Sequence, residues 1–196
     1  TAQRPACVLD AERDFYTQMN ANPLRGLYSL SVRATSEIAA VRKQIAELIG
    51  AVDEAGKPAA DDIVFTRNTS ESLNLVAYSY AMHHLKAGDE IAVSILEHHS
   101  NILPWQMVAS QTGATLRYMD CEPDGTLTDE TIEQTIGEKT KLVAIGHVSN
   151  VLGCVNPVKK IIDRAHAVGA VAVLDAAQSA PHMPLDVQAL DADFVA

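Results

Sequence analysis

Cysteine is scarce in this chain, and the three present, Cys7, Cys121 and Cys154, are odd in number and far apart. They form neither a disulfide framework nor a Cys-x-x-Cys metal knuckle, so no metal site is expected, and their usage fits a reducing cytoplasm. Long apolar runs are missing as well. Stretches such as residues 170–174 fall well short of the ~18 residues that a membrane helix needs, and no basic-then-apolar segment opens the sequence. Basic residues are in deficit, 15 against 25 acidic ones, for a formal net charge of -10. A polyanion binder shows the opposite balance, so nucleic acid is not an expected partner. No Gly-x-Gly-x-x-Gly follows an apolar run, and Gly-x-x-x-x-Gly-Lys-Ser/Thr is absent, which argues against NAD and ATP. What remains is ordinary globular usage: 196 residues, 47% apolar and 20% charged. That suits one domain with a sizeable core.

The pattern of elements alternates. Short runs rich in Val and Ile, at 62–66, 90–95, 114–119, 141–148 and 170–175, read as strands covered on both faces, and 194–196 reads as the start of another. Helical patterns lie between them at 70–86, 100–112, 128–136 and 157–168. A βαβα order implies a parallel sheet with right-handed crossovers. The first sixty residues differ: 6–20 and 35–49 read as helices, the second with Ile38, Val41, Ile45, Leu48 and Ile49 at helical spacing. Between them, 22–28 places Arg25 and Tyr28 beside Pro23 and Gly26, as in a loop that reaches a site. Residues 52–60 read as an exposed polar loop. A strand beginning at Asp193 and stopping at Ala196 suggests part of a longer polypeptide, because a central strand needs ladder partners.

In open α/β sheets ligands gather at the carboxyl ends of strands. After the first expected strand, Asn68 and Glu71 have capping-box spacing, and Thr69 and Ser70 set two hydroxyls beside free N–H groups at a helix start. That arrangement suits a phosphate, or a plain N-cap. After the second come His98 and His99; an imidazole there stacks on a flat ring, moves a proton, or simply sits at the surface. His83 and His84, at a helix end, read as a solvated face. After the fourth comes Asn150, an amide with donor and acceptor, or a turn residue. After the fifth comes Asp175, whose burial behind apolar residues demands a cation or several donors, with Gln178 three residues on. A phosphate, a flat ring, a phenolic oxygen and a protonated ring nitrogen would together use this set, and pyridoxal phosphate carries all four.

At these residues the chain resembles the class V aminotransferase-like, fold-type I pyridoxal-phosphate enzymes, and among them the SufS-type cysteine desulfurases and selenocysteine lyases. The matching segments are residues 65–77 (FTRNTSESLNLVA), 96–106 (LEHHSNILPWQ), 124–127 (DGTL), 147–153 (HVSNVLG), 156–157 (NP), 175–178 (DAAQ) and 184–191 (PLDVQALD). The resemblance implies an αβα three-layer sandwich on a mainly parallel sheet, with N-terminal helices. It divides the chain into a helical segment with an active-site loop, 1–60, and a cofactor-binding large domain, 61–196. It implies that Thr69 and Ser70 bind the cofactor phosphate and that His98 stacks on the ring and shuttles protons. Asn150 then faces substrate carboxylate and cofactor, Asp175 partners the pyridine nitrogen, Gln178 donates to the phenolic oxygen, and Arg25 reaches the substrate at a dimer interface.

The implied activity is removal of sulfur from L-cysteine, leaving alanine and an enzyme persulfide for a sulfur-acceptor protein, in a cytoplasmic homodimer serving iron–sulfur cluster assembly. Selenocysteine lysis, transamination, epimerisation and a non-catalytic half-protein are the alternatives. The family often has Gly where Asn68 and Ala176 stand, and its SufS-type members often have His where Leu24 and Tyr28 stand; an alanine at 176 is expected to crowd the cofactor. Family members continue with a Ser-Gly-His-Lys turn supplying the Schiff-base lysine and with a second domain carrying the nucleophilic cysteine. No lysine or cysteine of this sequence matches those two positions.

Overall fold

A computed structural model describes residues 3–196. Its contacts divide the chain into two units, Thr1–Ile63 and Val64–Ala196.

In the first unit, α1 (Ala6–Asp14) continues as a π-helical turn, Phe15–Met19, and α2 spans Ser29–Leu48. The expected helix at 35–49 therefore begins six residues early. Its hydroxyls, which resemble start signals, serve another purpose. Ser31 Oγ donates to the Asn22 carbonyl at 2.7 Å, and Thr35 Oγ1 accepts from Leu24 N at 2.9 Å. The helix thus holds the 22–28 loop from within its own first two turns. In the polar loop that follows, the Asp53 carboxylate accepts from Ala55 N and Lys57 N, both at 2.9 Å, below a Val52–Pro58 antiparallel bridge.

The second unit is built on a sheet of β1 (Glu90–Ser94), β2 (Thr115–Met119), β3 (Thr140–Gly146), β4 (Val171–Asp175) and β5 (Phe194–Val195). The order is β2-β1-β3-β4-β5 and every neighbouring pair is parallel. The helices are α3 (Thr69–Val76), α4 (Met82–His84), α5 (Leu103–Thr112), α6 (Asp129–Thr135), α7 (Val158–Ala167) and α8 (Val187–Leu190). A π-helical turn, Ala77–Ala81, joins α3 to α4.

Alternation along each strand sends side chains to both faces. On one face Ile91, Val93, Leu142, Ala144 and Val173 pack with Leu73, Ala77, Ala81, Trp105 and Val108 from α3 to α5. The intervening residues, Val143, Ile145, Ala172 and Leu174 among them, are buried on the other face, where α7 packs on β3 and β4 with Ile161, Ile162 and Ala165. Helix layer, parallel sheet and helix layer follow in that order.

The sequence expectation at 62–66 is not met. Residues 60–62 form a 3-10 turn and 63–66 run irregularly outside the sheet, with Val64 63% and Phe65 47% exposed. Apolar β-branched composition becomes strand only where a neighbouring ladder receives it. Among the described residues no helix is long and apolar enough to cross a membrane.

Candidate functional site

The sheet order places its topological switch between β1 and β3: the chain leaves β1 toward β2 on one side and β3 toward β4 and β5 on the other. Open α/β sheets bind ligands in the crevice that such a switch leaves at the carboxyl edge. A cleft of about 220 Å³ lies there. Thr69 and Ser70 line it from the start of α3, His98 from the loop after β1, Asn150 from the turn after β3, and Asp175 and Gln178 from the end of β4. Arg25 lies exposed on the 20–28 loop of the first unit.

Local chemistry sets each group. Asn68, the N-cap of α3, accepts from Glu71 N on its side chain at 3.0 Å. The reciprocal half of the expected capping box is displaced by one residue: Glu71 Oε2 accepts from Arg67 N at 2.6 Å, and the carboxylate also grips the Arg67 guanidinium at 3.1 Å. That grip lowers the Glu71 carboxyl below its ordinary range. The N–H groups of Thr69 and Ser70 thus stay at the positive end of the helix beside their own hydroxyls.

His98 Nδ1 accepts from Ser100 N at 3.1 Å. A nitrogen that accepts an amide N–H holds its lone pair there, so the neutral ring carries its proton on Nε2. Asn150 sits at the tip of a turn stitched by Ser149 Oγ, which accepts from Leu152 N at 3.2 Å, and by Gly153 N, which donates to the Ser149 carbonyl at 3.0 Å. The positive φ of 70° at Gly153 closes that turn. The side chains of Asn150 and Gln178 make no hydrogen bond among the described residues, which leaves both amides available to a ligand.

Asp175 is only 8% exposed. Its Oδ1 accepts one hydrogen bond, from Ala177 N at 3.0 Å. Burial pushes its carboxyl above the ordinary carboxylate range, opposed by the Ala177 N–H and the neighbouring His98 ring. This carboxylate is short of positive charge and opens onto the cleft. Ala176, by contrast, is buried and does not line the cleft, so its methyl does not crowd the space as the comparison with glycine had suggested.

Glu97 and Ser100 are two of several lining residues that were not singled out from sequence. Glu97 encloses its carboxylate under the loop: Oε1 accepts from Ser94 Oγ and Oε2 from Asn101 Nδ2, both at 2.6 Å. Asn101 Oδ1 in turn accepts from the Nε1–H of the fully buried Trp105 at 2.9 Å. Burial raises the Glu97 carboxyl; Ser94, the Gly146 N–H and Asn101 oppose that rise, and the charge of Asp175 adds to it. A Cβ on Gly146 would stand 3.0 Å from Glu97 Oε2, which explains a residue without a side chain at that strand end. The second residue is Ser100, whose hydroxyl lies 2.6 Å from Ser70 Oγ. A carboxylate at the end of an apolar strand was the available signal for Glu97. No signal marked Ser100.

Comparison with known proteins supplies the family context. The aminotransferase class V family model matches residues 1–196. A probable cysteine desulfurase of Halalkalibacterium halodurans is 49% identical over 196 residues, covering 100% of this chain and 47% of that protein. Among solved structures, the apo cysteine desulfurase from Thermococcus onnurineus NA1 superposes with a TM-score of 0.90 at 42% identity, covering 100% of this chain and 46% of that one. The Escherichia coli cysteine desulfurase CsdA, as its S-sulfonic acid, gives 0.86 at 38% identity, with 100% and 47% covered. The chain spans about half the length of the curated relatives it matches.

Proposed function

The chain belongs to the aminotransferase class V family, and from that premise we propose that the whole protein is a pyridoxal-phosphate-dependent cysteine desulfurase. It takes sulfur from L-cysteine, leaves alanine, and hands the sulfur as an enzyme persulfide to an acceptor protein that feeds iron–sulfur cluster assembly. The relatives' names support the substrate. A cytoplasmic homodimer is part of the same proposal, as is a large domain at 61–196 preceded by a helical segment bearing the Arg25 loop.

One observation carries the reading: a buried carboxylate short of positive charge, Asp175, faces the same cleft as a free helix N-terminus and an imidazole. That donor set fits the cofactor. Thr69 and Ser70 would hold its phosphate with hydroxyl and N–H donors. Asp175 would supply the counter-charge to a protonated ring nitrogen, which relieves the very cost that burial imposes on the carboxylate. Gln178 would donate to the phenolic oxygen. Bound there, pyridoxal phosphate supplies an electron sink for the charge that develops at the substrate Cα. Further roles fall to residues of this chain. Asn150 would hold the substrate carboxylate, Arg25 would reach the substrate from its loop at the dimer interface, and His98 would stack on the ring and move a proton through Nε2.

The test is alanine formation from L-cysteine by the full-length protein. Asp175→Ala is expected to leave the fold largely intact and to lower turnover by orders of magnitude, because the ring nitrogen loses its counter-charge. Near-normal turnover in that variant would overturn the assignment.

A further inference from the structure

A chain of hydrogen bonds runs from the start of α3 to the His98 ring. Ser70 Oγ lies 2.6 Å from Ser100 Oγ. Ser100 Oγ lies 3.0 Å from His98 Nδ1, the nitrogen that already accepts from Ser100 N at 3.1 Å. Since Nδ1 is an acceptor, the Ser100 hydroxyl is the donor in its contact with the ring. A serine hydroxyl has one proton to donate, so Ser100 must accept in its contact with Ser70. Only the order Ser70 to Ser100 to His98 Nδ1 satisfies all these contacts at once.

We propose that Ser100 is a positioning residue that couples the phosphate end of the cleft to the hydrogen bonding of the His98 ring, by reversing the direction of its hydroxyl. The argument is a count of protons. A phosphate ester dianion offers only acceptor oxygens, so Ser70 must turn its single proton toward it. The short contact between the two serines then survives only with Ser100 as donor. Ser100 thereby withdraws its proton from Nδ1, and the ring keeps the amide bond alone. Filling the phosphate end removes one of the two bonds that fix the orientation of His98, while the amide bond preserves its tautomer. The inference rests on the reading of Thr69 and Ser70 as the phosphate end, and it gives Ser100 a role that this reading does not.

The experiment uses the full-length protein stripped of cofactor and uniformly labelled with 15N, with the His98 ring assigned through His98→Gln. The probe is methyl phosphate at pH 8, where it is a dianion because the second ionisation of such esters falls near about 6. Binding is followed at the Thr69 and Ser70 amides, and coupling at His98 Nδ1. In the wild type both are expected to titrate together, with Nδ1 moving downfield as it loses a donated hydrogen bond. In Ser100→Ala the amides still titrate, Nδ1 starts downfield and stays there, and the Nε2–H tautomer is retained through the backbone amide. Ser100→Thr restores the movement. A Ser100 that only fills space predicts the same Nδ1 response in Ser100→Ala as in the wild type, and that result overturns the coupling. Amides that titrate in the wild type while Nδ1 stands still overturn the coupling and leave the cofactor reading in place. If neither moves at saturating probe, the phosphate end itself is misassigned and the inference falls with it.

Discussion

Two acidic residues at the carboxyl edge of the sheet, one after β1 and one at the end of β4, have opposite circumstances. Glu97 accepts from Ser94, Asn101 and the Gly146 N–H, whereas Asp175 accepts from Ala177 N alone. A carboxylate enclosed by three donors is a structural group, and one with a single donor is a receptive group. The two should therefore respond differently to the loss of charge. In Glu97→Gln the new NH2 can face Ser94 Oγ, which must then accept instead of donate, while Asn101 Nδ2 and the Gly146 N–H keep a neutral acceptor in place of a charged one, and the expected cost is about 1 kcal/mol of stability. Asp175→Asn retains an acceptor for Ala177 N and sheds a buried charge, so its stability is expected to stay near the wild type or to rise. Urea denaturation of the full-length protein and both variants, each stripped of cofactor so that ligand binding does not enter, checks the contrast. Equal destabilisation by the two substitutions would show that the donor count does not separate them.

The helix that begins at Thr69 shows how an element carries a departure from its family. Asn68 stands where glycine is common, with an extended backbone that any residue adopts, and its side chain caps Glu71 N. Asn68→Ala is expected to lower stability by about 1 kcal/mol and Asn68→Gly by only a few tenths, as N-cap replacements generally do. Thermal denaturation distinguishes them, and a glycine variant as unstable as the alanine one would refute the cap as the reason for asparagine here.

The same element shows what sequence can and cannot carry. Its start was legible because Asn68, Thr69, Ser70 and Glu71 announce a cap locally, and β1, β3 and β4 were legible because short Val- and Ile-rich runs have few other uses. The cleft was legible for a related reason: His98, Asn150 and Asp175 each follow a strand, and a parallel sheet brings such positions to one edge, while Thr69 lines the same cleft from the start of α3 although the run before it lies outside the sheet. Where local signals had a tertiary use, the reading failed. Ser31 and Thr35 tie down a loop instead of starting a helix, residues 63–66 have strand composition outside the sheet, and α8 has four residues, too few for a periodic signal. Nothing local says that Glu97, and not its neighbour His98, folds back onto Ser94 and Asn101.

At the scale of the whole molecule, His166, Glu97 and Asp175 act on stability in one direction with pH, and Glu71, Asp124 and His147, whose pKa values are lowered, act in the other. His166 on α7 meets two carboxylates from the segment after α8: Nε2 lies 2.9 Å from Asp193 Oδ2 and Nδ1 3.3 Å from Asp191 Oδ2. Asp193 Oδ2 also accepts from Ala172 N of β4 at 2.8 Å, so the cluster ties that segment to both helix and sheet. The hydrogen bond to Asp193, first, and the charges of both aspartates raise the His166 pKa above its ordinary 6.5. A basic group raised in the folded state contributes stability that is fully present below its unfolded value and is lost as pH rises through the folded one. The raised carboxyls of Glu97 and Asp175 have the same sign in a more acidic window: as pH climbs past the ordinary carboxylate range, the folded state must ionise them against burial. A formal charge of -10 at pH 7 adds self-repulsion that weakens with salt. The full-length protein should therefore lose stability as pH rises from about 6.5 into the mildly alkaline range. His166→Asn keeps a polar side chain without the titration and should flatten that part of the curve, while leaving the acidic part as it was. Urea midpoints measured across pH for both proteins decide it, and parallel curves above about 6.5 would remove His166 as the cause.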